Sequence, residues 1–142
     1  MPKTPPIVYV DTSEIREGAL ERLKGGFSEL VDFVAANVPD ALFYGVYLSD
    51  DGGRVTVVHA HRESSSLEHH LEVGGPAFRP FAELLVLSSI RIYGDVSERV
   101  VALAEEKARM LGCDDIALQR AHAGFDRSGP RPAAGARTGN AR

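Results

Sequence analysis

Four of the five histidines lie close together in one segment of this sequence, Arg54–Phe78. His59 and His61 are two residues apart in an alternating, β-rich run, so their side chains share one face of a strand. His70 follows in a helical run, one residue before Leu71, and falls on the apolar stripe of that helix. An imidazole can accept or donate a proton near neutral pH. We predict that His61 and His70 meet in a cavity and act there as catalytic residues in proton transfer.

The same histidines admit three other interpretations, which the sequence leaves open. His59 and His61 could face a dimer interface, hydrogen-bonded across strands, and His70 could be a core-edge residue with its hydrogen bonds satisfied. Together the three could bind zinc with one coordination position left open. Zinc sites of this kind usually show tighter motifs such as HExxH, which is absent here, so no metal is expected. His69 is rotated by about 100° from His70 and is expected in solvent.

Three residues are candidates for binding a ligand in the same cavity: His59, His122 and Tyr47. His122 lies on the last predicted strand. The phenolic hydroxyl of Tyr47 would suit an aromatic ligand, although strand tyrosines more often pack with one end in water. Glu68 could act as an acid or base, but the pattern Ser65-x-x-Glu68 matches a helix capping box and explains the residue without a catalytic role.

Hydrophobic patterning predicts the elements that position these residues. A β-branched and aromatic run forms a first strand at Ile7–Asp11. A helical apolar repeat begins at Leu20 and ends near Pro39. Two β-rich runs, Ala41–Ser49 and Arg54–Arg62, flank an acidic, glycine-containing turn and therefore form a hairpin.

The second half of the sequence again places a helix before a strand. The second helix is interrupted by a Gly-Gly-Pro sequence at 74–76, so we predict two short pieces joined at a kink. A fourth strand follows at Leu87–Tyr93. A third helix starts at Asp95 or Ser97, and a last strand falls within Asp115–Phe125.

These elements predict an α+β fold of the ferredoxin-like type, β-α-β-β-α-β. The sheet is four-stranded and antiparallel, with a third helix and a short C-terminal strand added. The second strand is apolar or aromatic on both sides, with Phe43 and Tyr47 on one side and Tyr44 and Val46 on the other. A sheet that helices cover on one face only should bury its other face against a second copy. We therefore predict a homodimer that pairs through sheet faces.

Charge and composition exclude several classes of protein. Residues 1–125, the predicted domain, hold 12 Lys and Arg against 19 Asp and Glu, so a dedicated nucleic-acid binder is not expected. No apolar run approaches the roughly 18 residues that cross a bilayer, and the N-terminus lacks the layout of a signal peptide. We therefore expect no membrane contact and a cytoplasmic location. Residues 126–142 carry four Arg against one Asp among Gly, Pro and Ala, which predicts a disordered basic tail.

Two strings of the sequence resemble bacterial proteins of the dimeric α+β-barrel superfamily, most closely the antibiotic biosynthesis monooxygenase-like family. They are VTVVHAHRESSSLEHHLEVGGPAFRPFAELL and LSSIRIYG, and the likeness extends from about Val8 to Phe125. It implies a protomer whose sheet packs face to face on a partner's sheet, with a cavity between sheet and helices. Characterised relatives include cofactor-independent oxygenases of quinols and polyketide aromatics. Haem-degrading relatives rely on an Asn, a Trp and a His, and because this chain has no Trp, we expect no cofactor.

Two functions follow as hypotheses. The resemblance implies a cofactor-independent monooxygenase that acts on a small aromatic or quinol-like compound, in which an imidazole deprotonates the substrate so that its anion reacts with oxygen. The alternative is a non-catalytic dimeric module that binds a small apolar molecule. The clustered histidines favour the enzyme, and the lack of a recognised catalytic motif favours the module.

Overall fold

The periodicities of the sequence give five strands and three helices in the computed structural model, which describes residues 4–127. The strands are β1 (Ile7–Ile15), β2 (Ala41–Leu48), β3 (Arg54–His61), β4 (Leu85–Tyr93) and β5 (Ile116–Gln119). The helices are α1 (Leu20–Asn37), α2 (Ser64–Phe78) and α3 (Glu98–Met110). A short 3-10 turn, Arg79–Glu83, connects α2 to β4.

The sheet has the strand order β2-β3-β1-β4-β5. The central strand β1 pairs antiparallel with β3 and β4, and β2 pairs antiparallel with β3. The added strand β5 pairs parallel with β4, so the five-stranded sheet is mixed. The first four strands, with α1 and α2 as connections, form the ferredoxin-like arrangement, and the predicted α+β fold class is confirmed.

The helices cover one face of the sheet, and the core lies between them. α1 buries four apolar residues at helical spacing: Leu23, Phe27, Leu30 and Val34. Gly26 allows α1 to approach the 3-10 turn closely, because a Cβ at this position would lie 3.1 Å from the ring of Phe81. This contact closes the core at one end of α1.

No helix of residues 4–127 packs on the other face of the sheet, which we call the open face. Alternation and register place on it Val8, Val10 and Thr12 of β1, Phe43 and Tyr47 of β2, Thr56 and Val58 of β3, and Arg91 and Tyr93 of β4. Phe43, Tyr47 and Tyr93 are 46%, 56% and 38% exposed. The open face is therefore largely apolar and aromatic, as the sequence pattern predicted.

α2 differs from the predicted pair of short pieces. It is one continuous helix that contains Pro76. The interruption comes later, where the 3-10 turn begins at Arg79. Leu71 and Phe78, on either side of the Gly-Gly-Pro sequence, are both buried, so tertiary packing holds the helix through a weak local sequence. The predicted kink is wrong.

The predicted capping box at the start of α2 is also wrong. Its N-cap is Glu63, which forms no side-chain capping bond. Glu68 instead accepts a 2.6 Å hydrogen bond from Ser97 Oγ, and Ser64 Oγ accepts one from the Ser97 N–H at 2.8 Å. Ser97 in turn caps α3 by accepting a bond from the Val100 N–H. The polar residues at the start of α2 therefore tie it to the start of α3.

Several ends of elements differ from the prediction. β1 continues to Ile15 rather than Asp11, and β4 begins at Leu85 rather than Leu87. β5 ends at Gln119, well before the end of the predicted segment Asp115–Phe125. Of the predicted basic tail, Asp126 forms an ion pair with Arg62 at 2.9 Å. Residues 128–142 of that tail lie outside the described residues. Within residues 4–127, no helix combines the length and the hydropathy needed to cross a membrane.

Candidate functional site

His59, His61 and His70 lie together between β3 and α2, and we call them the histidine cluster. The alternation of β3 directs His59 and His61 toward the helices, and the apolar stripe of α2 directs His70 toward the sheet. Their exposed fractions are 1%, 0% and 6%. The residues predicted to be catalytic are therefore brought together, and the two strand histidines lie on the covered face of the sheet rather than on the open face.

A chain of hydrogen bonds links Ser66 to two of the histidines. His61 Nδ1 lies 2.6 Å from Ser66 Oγ, and His61 Nε2 lies 2.8 Å from His59 Nδ1. A neutral imidazole carries one N–H, so the protons of this chain point either all toward Ser66 or all toward His59. Shifting each proton by one bond, with one proton entering at one end of the chain and one leaving at the other, converts one arrangement into the other. The chain is therefore able to relay a proton.

Aromatic rings stack on both sides of His59. Its ring lies nearly parallel to that of His70, with 3.8 Å between centroids, and to that of Tyr9, with 4.4 Å. The ring of Tyr44 is 5.5 Å from His59 and from His70. Tyr9, His59 and Tyr44 are cross-strand partners on β1, β3 and β2. Strand register therefore positions His59, and α2 brings His70 onto it.

Burial keeps these imidazoles uncharged. Desolvation lowers the pKa of His61 to about 4. Desolvation, with smaller effects from the charges of neighbouring side chains, lowers the pKa of His70 to about 3. The pKa of His59 lies well below its ordinary value because of burial and the adjacent charges of His70 and His61. At neutral pH the histidine cluster therefore offers neutral rings that can accept or donate hydrogen bonds.

A buried ion pair lies next to the histidine cluster. Lys107 Nζ is 2.8 Å from Asp11 Oδ2, and the two side chains are 12% and 2% exposed. The ammonium group also lies 4.4 Å from the centroid of the Phe78 ring and 5.1 Å from that of Tyr9. Desolvation and the charge of Asp11 raise the pKa of Tyr9 and keep its phenol protonated. Polar groups are thus concentrated where a core is ordinarily apolar.

Free space beside the histidine cluster is small and adjoins a larger groove. A cavity of about 20 Å³ lies against Tyr44, His59 and His70, which is room for one water molecule. His70 Nδ1 is buried and has no hydrogen-bond partner among residues 4–127. A groove of about 440 Å³ between α2 and α3 shares three lining residues with this cavity: Leu71, Gly75 and Lys107. A buried, unpartnered nitrogen beside a cavity indicates where a ligand atom would bind.

The histidine cluster also meets one requirement of a metal site. A nitrogen from each of the three rings lies within 4.8 Å of the other two, and three imidazoles form a common zinc ligand set. Two features oppose metal binding in this conformation. His59 Nδ1 and His61 Nε2 are already hydrogen-bonded, and the rings of His59 and His70 are stacked. Imidazole lone pairs lie in the ring plane, so the stacked rings cannot both point at one ion unless His70 turns.

Two predicted ligand-binding residues lie away from the histidine cluster. Tyr47 projects from the open face, on the opposite side of the sheet. His122 follows β5 instead of lying within it, and its side chain is exposed. His69 is exposed, as predicted, and its Nε2 donates to the Asn37 carbonyl oxygen at 2.8 Å. The structure therefore brings neither Tyr47 nor His122 to the cavity.

Four residues that contact the histidine cluster or line its cavity were not predicted there: Tyr9, Tyr44, Ser66 and Lys107. The position of Tyr44 could have been predicted from the sequence, because alternation places its side chain on the other face of β2 from Tyr47 and the hairpin register pairs it with His59. Ser66 is five residues from His61, across the turn into α2. No local pattern in the sequence predicts the position of Lys107, because its contact with Asp11 joins residues 96 positions apart.

Comparisons with known proteins identify the fold and not the family. No known protein-family model matches the chain, and no curated protein matches it. The structure is similar to MupZ from Pseudomonas fluorescens, with a TM-score of 0.66, 15% sequence identity, and coverage of 87% of this chain and 95% of MupZ. It is also similar to Rv0793 from Mycobacterium tuberculosis, with a TM-score of 0.51, 20% identity, and coverage of 66% and 97%. At these identities the likeness establishes a ferredoxin-like α+β domain and says nothing about a reaction.

Proposed function

We propose that this protein is a homodimeric, cofactor-independent oxygenase of the antibiotic biosynthesis monooxygenase-like family, acting on a small hydroxylated aromatic or quinol-like compound. The observation that carries the proposal is the buried chain from Ser66 through His61 to His59, with the neutral ring of His70 stacked on its end beside a cavity. The sequence resemblance supports the family. The ferredoxin-like fold agrees with that family and does not by itself select a reaction.

His70 and Lys107 have complementary roles in this proposal. His70 Nδ1 lacks a partner among residues 4–127 and accepts the hydrogen bond of the substrate hydroxyl. Lys107 lines the same cavity, and its ammonium group can donate a hydrogen bond to the substrate oxygen in addition to the one that it donates to Asp11. His59 also lines the cavity and connects it to the proton relay that ends at Ser66. The site thus provides a proton acceptor, a hydrogen-bond donor for the substrate oxygen, and a path for protons.

The oxygen chemistry in this proposal requires no external electron donor. The deprotonated, electron-rich ring supplies the electrons that reduce dioxygen. One oxygen atom becomes a carbonyl oxygen on a ring carbon ortho or para to the hydroxyl. The hydrogen of that carbon and the hydrogen of the hydroxyl leave with the other oxygen atom as water, which gives a quinone. The tasks left to the protein are to remove the proton and to hold the ring in a site that excludes solvent.

The open face supports the homodimer. Val10 and Val58 are cross-strand neighbours near its centre, with exposed aromatic rings at Phe43, Tyr47 and Tyr93 around them. A contiguous apolar patch of this kind indicates an interaction surface. Two copies related by a two-fold axis would each bury the same residues, which is the arrangement that the sequence resemblance implies. The histidine cluster would then lie behind the interface, on the helical side of each sheet.

Oxygen consumption with hydroquinones, naphthols and anthrone tests the enzyme directly. We expect turnover by the wild-type protein and a loss of about 100-fold or more in kcat for His70→Gln, because general acid–base groups contribute about that much. His69→Gln is the matched control, one position away on the same helix but exposed, and should keep wild-type activity. Ser66→Ala keeps all three imidazoles and should give a smaller loss. Circular dichroism establishes that each variant is folded.

One outcome of this experiment rejects the oxygenase, and two others reject the catalytic role of His70. Absence of oxygen uptake with every compound, combined with binding of an aromatic compound, identifies the non-catalytic binding module instead. Equal activity of H70Q and H69Q removes His70 from the reaction. Unfolding of H70Q under conditions where H69Q is folded shows that His70 is structural.

A metal-binding enzyme is a second candidate, favoured by the three neutral imidazole nitrogens within 4.8 Å of one another. The test is a titration with Co²⁺, whose visible spectrum reports coordination by nitrogen ligands, followed by competition with Zn²⁺. A tetrahedral Co²⁺ spectrum that is lost in His61→Gln and kept in His69→Gln would support a metal centre. Absence of that spectrum in the wild-type protein rejects it.

A further inference from the structure

Two consecutive glycines of α2 lie next to the histidine cluster. A Cβ at Gly74 would lie 3.5 Å from His70 Cδ2 and 3.7 Å from His70 Nε2, whereas a Cβ at Gly75 would meet nothing within 4 Å. Glycine is unfavourable within a helix relative to alanine. The two glycines leave positions 74 and 75 of α2 without side chains next to the His70 ring.

The space outside Gly75 is the groove between α2 and α3. Its volume is about 440 Å³, within the range of small-molecule sites. Apolar side chains from both helices line it: Leu71, Pro76, Leu103 and Met110. Gly75 and Lys107 line the groove and also the small cavity at His70. The groove and the cavity therefore meet at the glycine turn.

We propose that the α2–α3 groove binds a flat, uncharged aromatic molecule that carries a hydroxyl group, and that Gly74 and Gly75 form the passage through which this hydroxyl reaches His70. This inference names the substrate class and the entry path of the site, and it rests on the proposed function for the chemistry at His70. Leu71 and Lys107 border the passage, since they line both the groove and the cavity, whereas Gly75 adds no side chain to it.

The charges next to His70 favour the uncharged ligand. Five charged side chains line the groove: Glu72, Arg79, Arg99, Glu106 and Lys107. Of these, Lys107 alone also lines the cavity at His70, and because it is paired with Asp11 at 2.8 Å, a carboxylate or phosphate at the inner end would have to compete with Asp11. A hydroxylated ring has no such cost, because its apolar faces contact the aliphatic walls and its single polar group meets His70 and Lys107 at the inner end.

A second groove, of about 390 Å³, lies between α1 and the 3-10 turn and is the competing entrance. It shares only Leu30 with the cavity at His70, whereas the α2–α3 groove shares three residues with it, one of them a glycine. Its one glycine, Gly26, faces the ring of Phe81 rather than a histidine. The α2–α3 groove therefore adjoins the cavity more extensively.

Access to His70 can be measured without knowing the substrate. Diethyl pyrocarbonate modifies neutral imidazoles, and peptide mass spectrometry reports the rate at each histidine, with exposed His122 as the internal standard. We expect labelling of His70 in the wild-type protein and its loss in Gly75→Leu. Gly25→Leu is the matched control, because Gly25 is also a helical glycine with nothing within 4 Å of its Cβ but lies on α1. It should leave labelling of His70 unchanged.

A second pair of variants covers the case in which the leucine variants fail to fold. Gly75→Ala and Gly25→Ala each favour the helix, and only the first adds a methyl group at the passage. Slower labelling of His70 in G75A than in G25A supports the proposal. Equal rates in the two, or no labelling of wild-type His70 while His122 reacts, overturn the entry path. Loss of His70 labelling in Ala77→Leu would place the entrance in the other groove, because Ala77 lines that groove and not the α2–α3 groove.

Binding of 1-naphthol, followed by its own fluorescence, tests the ligand class. We expect binding to the wild-type protein and to G25L, loss of binding in G75L, and weaker binding of 1-methoxynaphthalene, whose ether oxygen has no proton to donate. No binding of 1-naphthol to the wild-type protein overturns the ligand class, whatever the labelling shows. If 1-naphthol binds through the passage but no oxygen is consumed, this inference stands and the oxygenase is rejected. Failure of the entry path and failure of the proposed function are therefore distinguishable.

Discussion

Both faces of the sheet depart from the usual pattern of an antiparallel sheet, which is apolar toward the helices and polar toward solvent. The covered face carries Asp11 and two histidines among its buried apolar residues, whereas the open face carries Val10 and the exposed Tyr47. Buried polar groups cost stability unless they are paired, and apolar groups in water favour association. Each face therefore lowers the stability of the isolated protomer. On the covered face the buried polar groups are available for a reaction, and on the open face the exposed apolar groups favour association with a partner.

The ion pair of the covered face should give the largest effect. Asp11→Ala leaves the Lys107 ammonium buried without its partner, and we expect the free energy of unfolding to fall by about 3–5 kcal/mol. Glu72→Ala breaks the exposed pair with Arg99 and should cost about 1 kcal/mol or less. Urea denaturation measures both. Equal small losses would contradict the claim that Lys107 is held in the core by Asp11.

A charge on the open face should give the next largest effect. Val10→Asp would place an unpaired carboxylate in the proposed interface, and we expect self-association to weaken by about 100-fold or more, since about 1.4 kcal/mol corresponds to a factor of ten. Val31→Asp is the control, an exposed apolar residue on α1 and away from the open face. Sedimentation velocity measures the oligomeric state. A monomeric wild-type protein, or a dimer that V10D leaves intact, would refute the open-face interface.

The histidine cluster predicts a pH dependence with a definite sign. The folded protein holds His61 and His70 neutral, with pKa values of about 4 and 3, while the unfolded chain protonates them below pH of about 6.5. The unfolded state then binds more protons, so stability is constant above this pH and falls as the pH drops from about 6.5 to about 4. Each histidine contributes a slope of up to about 1.4 kcal/mol per pH unit.

Urea unfolding at several pH values between 4 and 8 measures this slope. His70→Gln should flatten it by removing one buried titrating group, whereas His122→Gln, at an exposed position, should leave it as in the wild-type protein. A slope of the opposite sign would mean that the histidines gain protons on folding. That result would mean that a negative charge, such as that of the nearby Asp11, acts on them more strongly than burial does.

The smallest effect should come from a single hydroxyl of the covered face. Ser13 Oγ is buried without a hydrogen-bond partner. Ser13→Ala should therefore raise the free energy of unfolding by about 1 kcal/mol, because it removes an uncompensated polar group. Ser88→Ala, at an exposed position of β4, should change it by less than about 0.5 kcal/mol. A destabilised S13A would show that the hydroxyl has a partner such as bound water.

The predictions from sequence failed where tertiary contacts outweigh local signals. Gly-Gly-Pro in α2 is a weak helical sequence, yet the buried Leu71 and Phe78 hold the helix through it. Glu68 matches a capping box by spacing, but Ser97 on another helix binds it instead. Both errors arise because local propensities of about 1 kcal/mol are smaller than the free energy of packing one helix against another.

The sequence by itself determined the strand alternation, the helical stripes and hence the ferredoxin-like order of elements, because these depend on periods of two and 3.6 residues. The same periods placed His59 and His61 on one strand face and His70 on a buried stripe. Only the tertiary structure decided which side of the sheet the strand histidines face. It also brought Tyr9, Tyr44 and Lys107 to them and left Tyr47 and His122 apart. Register and helix packing join residues that are far apart in the chain, and no local pattern encodes those distances.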